Sequence, residues 1–216
     1  MNSLDSRSLR TGDCFGQKFP VPGEVRYFVS SGSELLPAAR EDSDDGYRIT
    51  VKPVDYASQP QQHNVLITRN GNTLEASPAK LEIYAGDGVL WYTTDPTVLG
   101  FHVAGGGDDF RFSSACMEKH AMYTHAFGTP GKYEWRDPHG SGIHGSVEVE
   151  SVNPYSKEER SEWYEKLRKP ATFEIKDGRS FPESVKIVLG QTVFWSIEES
   201  RGIAITDQRL LPAQRK

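Results

Sequence analysis

The sequence predicts an all-β fold, and three observations carry that expectation. Gly and Pro together supply 33 of the 216 residues, 20 and 13 respectively, a density of turn formers that suits many short strands. Apolar and polar residues alternate through most patterned segments, as in Tyr47-Arg48-Ile49-Thr50-Val51 and Lys132-Tyr133-Glu134-Trp135, the period-two signature of half-buried strands. Only SKEERSEWYEKLR, residues 156–168, reads as a helix. Ser156 and Glu159 form a capping box there and acidic residues fill the first turn.

In chain order, residues 1–18 are polar and read as loose or peripheral. FPVPGEVRYF (19–28) places a Pro-Gly turn before alternating Val25 and Tyr27. A long loop (30–46) with an acidic stretch at 41–45 leads to the strand at 47–51. Residues 52–63, PVDYASQPQQHN, resemble a linker, with His63 as a solvated residue at its end. VLITRNG (65–71) ends in an Asn-Gly turn, KLEIY (80–84) precedes Gly86-Asp87-Gly88, and VLWYTT (89–94) is a further strand. AGGGDD (104–109) is a flexible loop. AMYTHAFGTPGKYEW (121–135) then forms two strands around a Thr-Pro-Gly turn, and PHGSGIHG (138–145) is a Gly-rich loop leading into a last strand. On the helix, Trp163, Tyr164 and Leu167 share a face that would pack on a sheet.

The chain repeats itself. Residues 175–195 echo 68–91: both run from Asn/Asp-Gly through an aliphatic-x-Ile strand to Gly-x-x-Val and a Trp. FPVPGEVRYF also matches FGTPGKYEWR (127–136). Two related β units follow: a continuous one at 60–152, and one assembled from 17–54 plus 170–208, joined by a helical connector at 153–169. Closure of the split unit within one chain or by swapping between two chains is open at this level, so a homodimer or higher oligomer is a possible partner state.

Composition excludes several classes. A net charge of −5 and a pI near 5.7 give no basis for nucleic-acid or anionic-membrane binding. No apolar run approaches the roughly 18 residues of a membrane span. The N-terminus has no apolar core like a secretory signal, so the expected location is cytoplasmic, or periplasmic or secreted if a leader has been removed. Cys14 and Cys116 leave one disulfide or two free thiols open.

Imidazoles concentrate in one region: His139 and His144 on the Gly-rich loop and His102 in the strand-like Phe101-His102-Val103. The run PGKYEW…DPHGSGIHGSVEV, preceded by Gly86-x-x-Val89-x-Trp91 and Phe101-His102-Val103, resembles the C-terminal signature of the cupredoxin family over about residues 65–150. The loop spacing is similar to that of nitrosocyanin, a red-copper member that retains its Cys. The resemblance implies Greek-key β-sandwich units and a metal held by His102, His139 and His144. Arg136 stands where the family has its Cys and His144 where it usually has Met. A blue centre needs that thiolate, so the resemblance implies a mononuclear type 2 copper, with zinc as the alternative. The expected function is therefore a copper-dependent oxidoreductase acting on a small molecule. Arg136, Asp137 and His120 would handle substrate and protons, Arg136 either anchoring an anion or pairing with Asp108, Asp109 or Asp137. His125, Met122 and Tyr123 are expected to pack, and Cys116 to be a buried or free thiol. The rival readings are a copper carrier or interaction module without turnover, and a zinc hydrolase.

Overall fold

The computed structural model describes residues 3–31, 46–54, 59–107, 110–153, 155, 157–199 and 201–212. The acidic stretch at 41–45, the Asp108 and Asp109 partners considered for Arg136, and the Ser156 cap lie outside the described residues. The strands, in chain order, are β1 (Asp13–Lys18), β2 (Gly23–Ser30), β3 (Tyr47–Lys52), β4 (Gln62–Asn70), β5 (Thr73–Ser77), β6 (Lys80–Tyr84), β7 (Gly88–Tyr92), β8 (His102–Gly106) and β9 (Arg111–Ser113). They continue with β10 (Ala121–Ala126), β11 (Gly131–Arg136), β12 (His144–Glu150), then helix α1 (Lys157–Leu167), β13 (Ala171–Lys176), β14 (Arg179–Phe181), β15 (Ser184–Val188), β16 (Thr192–Ile197) and β17 (Thr206–Asp207). The protein is all-β with one short helix.

Three sheets make two sandwiches. An eight-stranded sheet, ordered β14-β13-β16-β10-β1-β7-β4-β5, runs through both. The five-stranded sheet β6-β3-β2-β8-β9 covers the half of it that runs from β1 to β5, and the four-stranded sheet β15-β12-β11-β17 covers the half that runs from β10 to β14. Trp91 of β7 meets Tyr27 and Phe112 across the first interface, and Trp135 of β11 meets Phe173 and Trp195 across the second. These rings are buried, and their burial, at about 25 cal/mol per Å² of apolar surface, is the main force holding each pair of sheets together. Alternation supplies them: in β7 Val89 and Trp91 point inward, and in β16 Val193, Trp195 and Ile197 do.

The two sequence echoes are the framework of the two sandwiches. Phe19/Phe127, Gly23/Gly131 and Tyr27/Trp135 keep a constant offset that extends back to Phe15/Tyr123. Phe15 and Tyr123 are also directly paired in the β1–β10 ladder. A pseudo-twofold axis therefore passes between them, in the middle of the shared sheet. Gly86 and Gly190 occupy equivalent turns with φ of 104° and 85°, a left-handed backbone that a side chain would strain.

The hydrogen bonds group the halves differently from the expected assembly. β2 pairs with β3 and β8, and β3 with β6, whereas β12 pairs with β15 and β11 with β17. Segment 17–54 thus pairs with strands of 62–113, and 121–150 with strands of 171–207. The framework is common to both units, so a repeat-based reading cannot tell which back half joins which front half. Four local expectations change as well. Residues 104–106, read as part of a flexible loop, belong to β8 and pair with β2 and β9, since glycines there allow close backbone approach. Residues 3–18 are not peripheral: Leu4, Leu9 and Phe15 are fully buried, and β1 is central. The 52–63 linker already contains the start of β4, where His63 Nε2 donates to Asp87 Oδ2 at 2.9 Å. Helix α1 buries no residue fully; Trp163 and Leu167 are half-buried and Trp163 Nε1 donates to Leu189 O, while Tyr164 faces solvent.

Candidate binding cleft

The loop expected to carry the chemistry opens onto a cleft of about 890 Å³ on the outer face of the four-stranded sheet. Alternation places its walls. In β11, Tyr133 and Trp135 point into the core, so Lys132, Glu134 and Arg136 point out. His144 is paired with Arg136 across β11–β12, and Ser146 with Ser184 across β12–β15. Cross-strand partners on one face are neighbours, so Arg136 and His144 stand side by side at the rim. Gly145 permits tight closure beneath them: a Cβ there would lie 2.7 Å from the Trp135 ring and 2.8 Å from Glu183 O.

The N-terminal strap brings a second cation. Asp5 bridges to Thr206, Ser6 N donates to Ile205 O, and Leu9 exchanges backbone bonds with Phe101, so residues 5–9 clasp both sandwiches. Arg7, on this strap, lines the cleft while its Nε and Nη2 bind the two Asp5 oxygens at 2.9 and 3.0 Å. That charge-assisted pairing raises the Arg7 pKa further. Lys132 is paired with Glu134 at 2.8 Å. Arg136, half-buried, makes no ion pair or side-chain hydrogen bond among the described residues. Sequence reasoning singled out Arg136 and His144, but missed Arg7 and Glu183. No local pattern marks residues that long-range pairing delivers.

Asp137 is buried, and its oxygens accept from Ala204 N at 2.9 Å and Ser141 N at 3.1 Å. With Asp137 N donating to Ile143 O, it holds the loop in shape. It is not the Arg136 partner. His120 sits in the turn before β10 with φ 74°, its backbone bonded to Ile197 and Lys18.

The three expected ligands are distributed. His102 is 3% exposed in β8 of the N-terminal sandwich, its Nδ1 2.9 Å from Ser30 Oγ. His139 is exposed on the loop and its Nε2 lies 2.9 Å from Ala115 O; His144, at the start of β12, has Nδ1 2.9 Å from Gly142 O. Among the described residues no three His, Cys, Asp or Glu side chains stand together to hold a metal ion.

Of the other residues singled out, Cys14 and Cys116 are free thiols, half-buried and exposed respectively; burial is the leading cause that raises both pKa values. Tyr123 is buried and Met122 half-buried. His125 is buried at the join, its Nδ1 2.6 Å from Asp13 Oδ1 and its ring edge-on to Phe127. No helix among the described residues is long and apolar enough to cross a membrane. The chain matches no family model, no curated protein and no solved structure.

Proposed function

We propose that this is a small-molecule binding protein whose site is the cleft over β11, β12 and β15, and that its ligand carries an anionic group received by Arg136. The carrying observation is the half-buried Arg136 guanidinium, unpaired among the described residues, beside His144 in a cleft of about 890 Å³. A guanidinium that has lost part of its hydration without gaining a partner favours a carboxylate or phosphate, which it can hold through two parallel hydrogen bonds. Titration with acetate, succinate and leucine, each carrying a carboxylate, followed by amide chemical shifts, tests this. Shifts confined to 132–146 and 183–184, weakened about tenfold or more in Arg136→Gln, are the expected result. Shifts elsewhere, or none at millimolar ligand, overturn it.

A second reading is copper binding, and histidine tautomers favour it. Ala115 O and Gly142 O can only accept, so His139 Nε2 and His144 Nδ1 carry the protons. In the neutral tautomer that this dictates, His139 Nδ1 and His144 Nε2 are the bare nitrogens, and a carbonyl-anchored imidazole of this kind is prepared for a metal. In this reading His139 and His144 would hold copper, which the cupredoxin resemblance favours over zinc and which would bring redox chemistry to an anion at Arg136. Without such chemistry the protein would be a carrier. Metal content after purification without added metal tests it: bound copper that is lost in His139→Ala supports it, and no uptake at micromolar copper rejects it.

A further inference from the structure

The charges of the cleft, once its internal pairs are set aside, point to the kind of ligand it takes. Arg7 is neutralised by Asp5, Lys132 by Glu134, and Asp137 is held by two backbone N–H groups. Two side chains are left. Arg136 ends β11, and Glu183 immediately precedes β15, with β12 between them. Neither makes an ion pair or side-chain hydrogen bond among the described residues, with each other or with anything else. Two interstrand spacings of about 4.8 Å set their backbones roughly 10 Å apart. The cleft therefore has a positive wall and a negative wall.

The floor between them carries the Ser146 and Ser184 positions, a register pair, and Leu211 adds an apolar surface at the margin. Resting on the binding reading above, we propose that the ligand is a zwitterion of the amino-acid type. Its carboxylate lies on Arg136, its ammonium on Glu183, and an apolar substituent against Leu211. A dianion would meet Glu183 with like charge, and a diamine would meet Arg136 in the same way. Each mismatch leaves one wall charge desolvated and unpaired, which is how a polar site rejects an analogue.

Leucine, N-acetylleucine, succinate and putrescine, titrated against the full chain by amide chemical shifts, test the assignment. Leucine is expected to bind the wild-type protein at least about tenfold more tightly than the other three. Glu183→Gln should erase the preference for leucine over N-acetylleucine, and Arg136→Gln should weaken both. If succinate and N-acetylleucine bind in the cleft as well as leucine and Glu183→Gln changes nothing, the zwitterion proposal fails while the anion-binding cleft stands. If no probe shifts the cleft amides at millimolar concentration, both fail. Glu183 is exposed, and an unchanged amide spectrum of the free variants verifies that they are folded.

Discussion

The two sandwiches close the same turn with different chemistry. In the N-terminal one, Asp87 follows Gly86 and accepts from Gln61 N at 2.8 Å, Tyr84 N at 3.1 Å and His63 Nε2 at 2.9 Å. In the C-terminal one, Gln191 follows Gly190; its Oε1 accepts from Val188 N, the counterpart of Tyr84 N, and its Nε2 donates to Lys169 O. A carboxylate offers only acceptors and must recruit donors around it. An amide brings one of each. One framework thus tolerates a charged plug and a neutral one, and the dependence on pH is confined to the charged plug.

The central ladder is asymmetric in the same way. Asp13 pairs with His125 at one end and Gln17 with Ala121 at the symmetry-related end. Asp13 accepts from Tyr123 Oη at 2.7 Å, His125 Nδ1 at 2.6 Å and Arg10 N at 3.0 Å, while Tyr123 Oη accepts from Asp5 N at 3.1 Å. This buried network ties the strap to the join. Gln17 only donates to Lys18 O. The largest expected effect follows: Asp13→Ala should cost about 3–5 kcal/mol, because two buried donors and the part-buried Arg10 N–H lose their acceptor at once. Gln17→Ala should cost about 1 kcal/mol. Urea denaturation of both variants measures the contrast, and equal losses would mean that the network does not hold the join.

The equivalent aromatics Tyr27 and Trp135 gain their room from different strands. A Cβ on Gly105 of β8 would lie 2.6 Å from Tyr27 Cβ, and one on Gly145 of β12 lies against the Trp135 ring. Alanine at either glycine should destabilise by about 1–3 kcal/mol through overpacking. Gly145→Ala should in addition perturb the amides of the cleft, which Gly105→Ala should leave in place; amide spectra separate the two.

Asp87→Ala and Gln191→Ala should each cost about 2 kcal/mol near neutral pH, but their acid behaviour should differ. Burial opposes ionisation of Asp87, yet hydrogen bonds from Gln61 N, His63 and Tyr84 N hold its pKa below the ordinary 3.8. A carboxyl depressed in the folded state contributes stability above its unfolded pKa and loses it as pH falls through the folded value. Asp87→Asn should therefore flatten the fall of stability below about pH 4, whereas Gln191 variants should shift the curve without changing its slope. Denaturation midpoints between pH 2 and 7 check both. The smallest effect belongs to the exposed Lys186–Glu150 pair at 2.8 Å: Lys186→Ala should leave the thermal midpoint unchanged within error, since exposed pairs contribute little.

Much of this architecture was legible in the sequence. The Pro-Gly turns, the Ile-Gly-Val-Trp repeats and the single helix announce themselves through neighbours in the chain, and Arg136 and His144 were named from their loop. Other features were hidden by composition. Asp13 and Asp5 make residues 1–18 look solvated, because the partners that allow their burial, His125 and Thr206, are more than a hundred residues away. His63 reads as linker until Asp87 is set beside it. The elements that carry the histidines are also set by long-range pairing: β8 with β2 places His102 in the five-stranded sheet, and β12 with β11 places His144 in the four-stranded one.

By itself the sequence determined that this is a β protein built twice on one framework, because period-two alternation and turn residues act over a few positions. Only the tertiary structure decided which halves join, that the N-terminal segment is a strap and a central strand, and which cleft charges stay unpaired. Strand pairing is non-local. Two back halves with the same framework are complementary to either front half, so the choice falls to pairings such as β3 with β6 and β12 with β15 that exist only once the chain has closed.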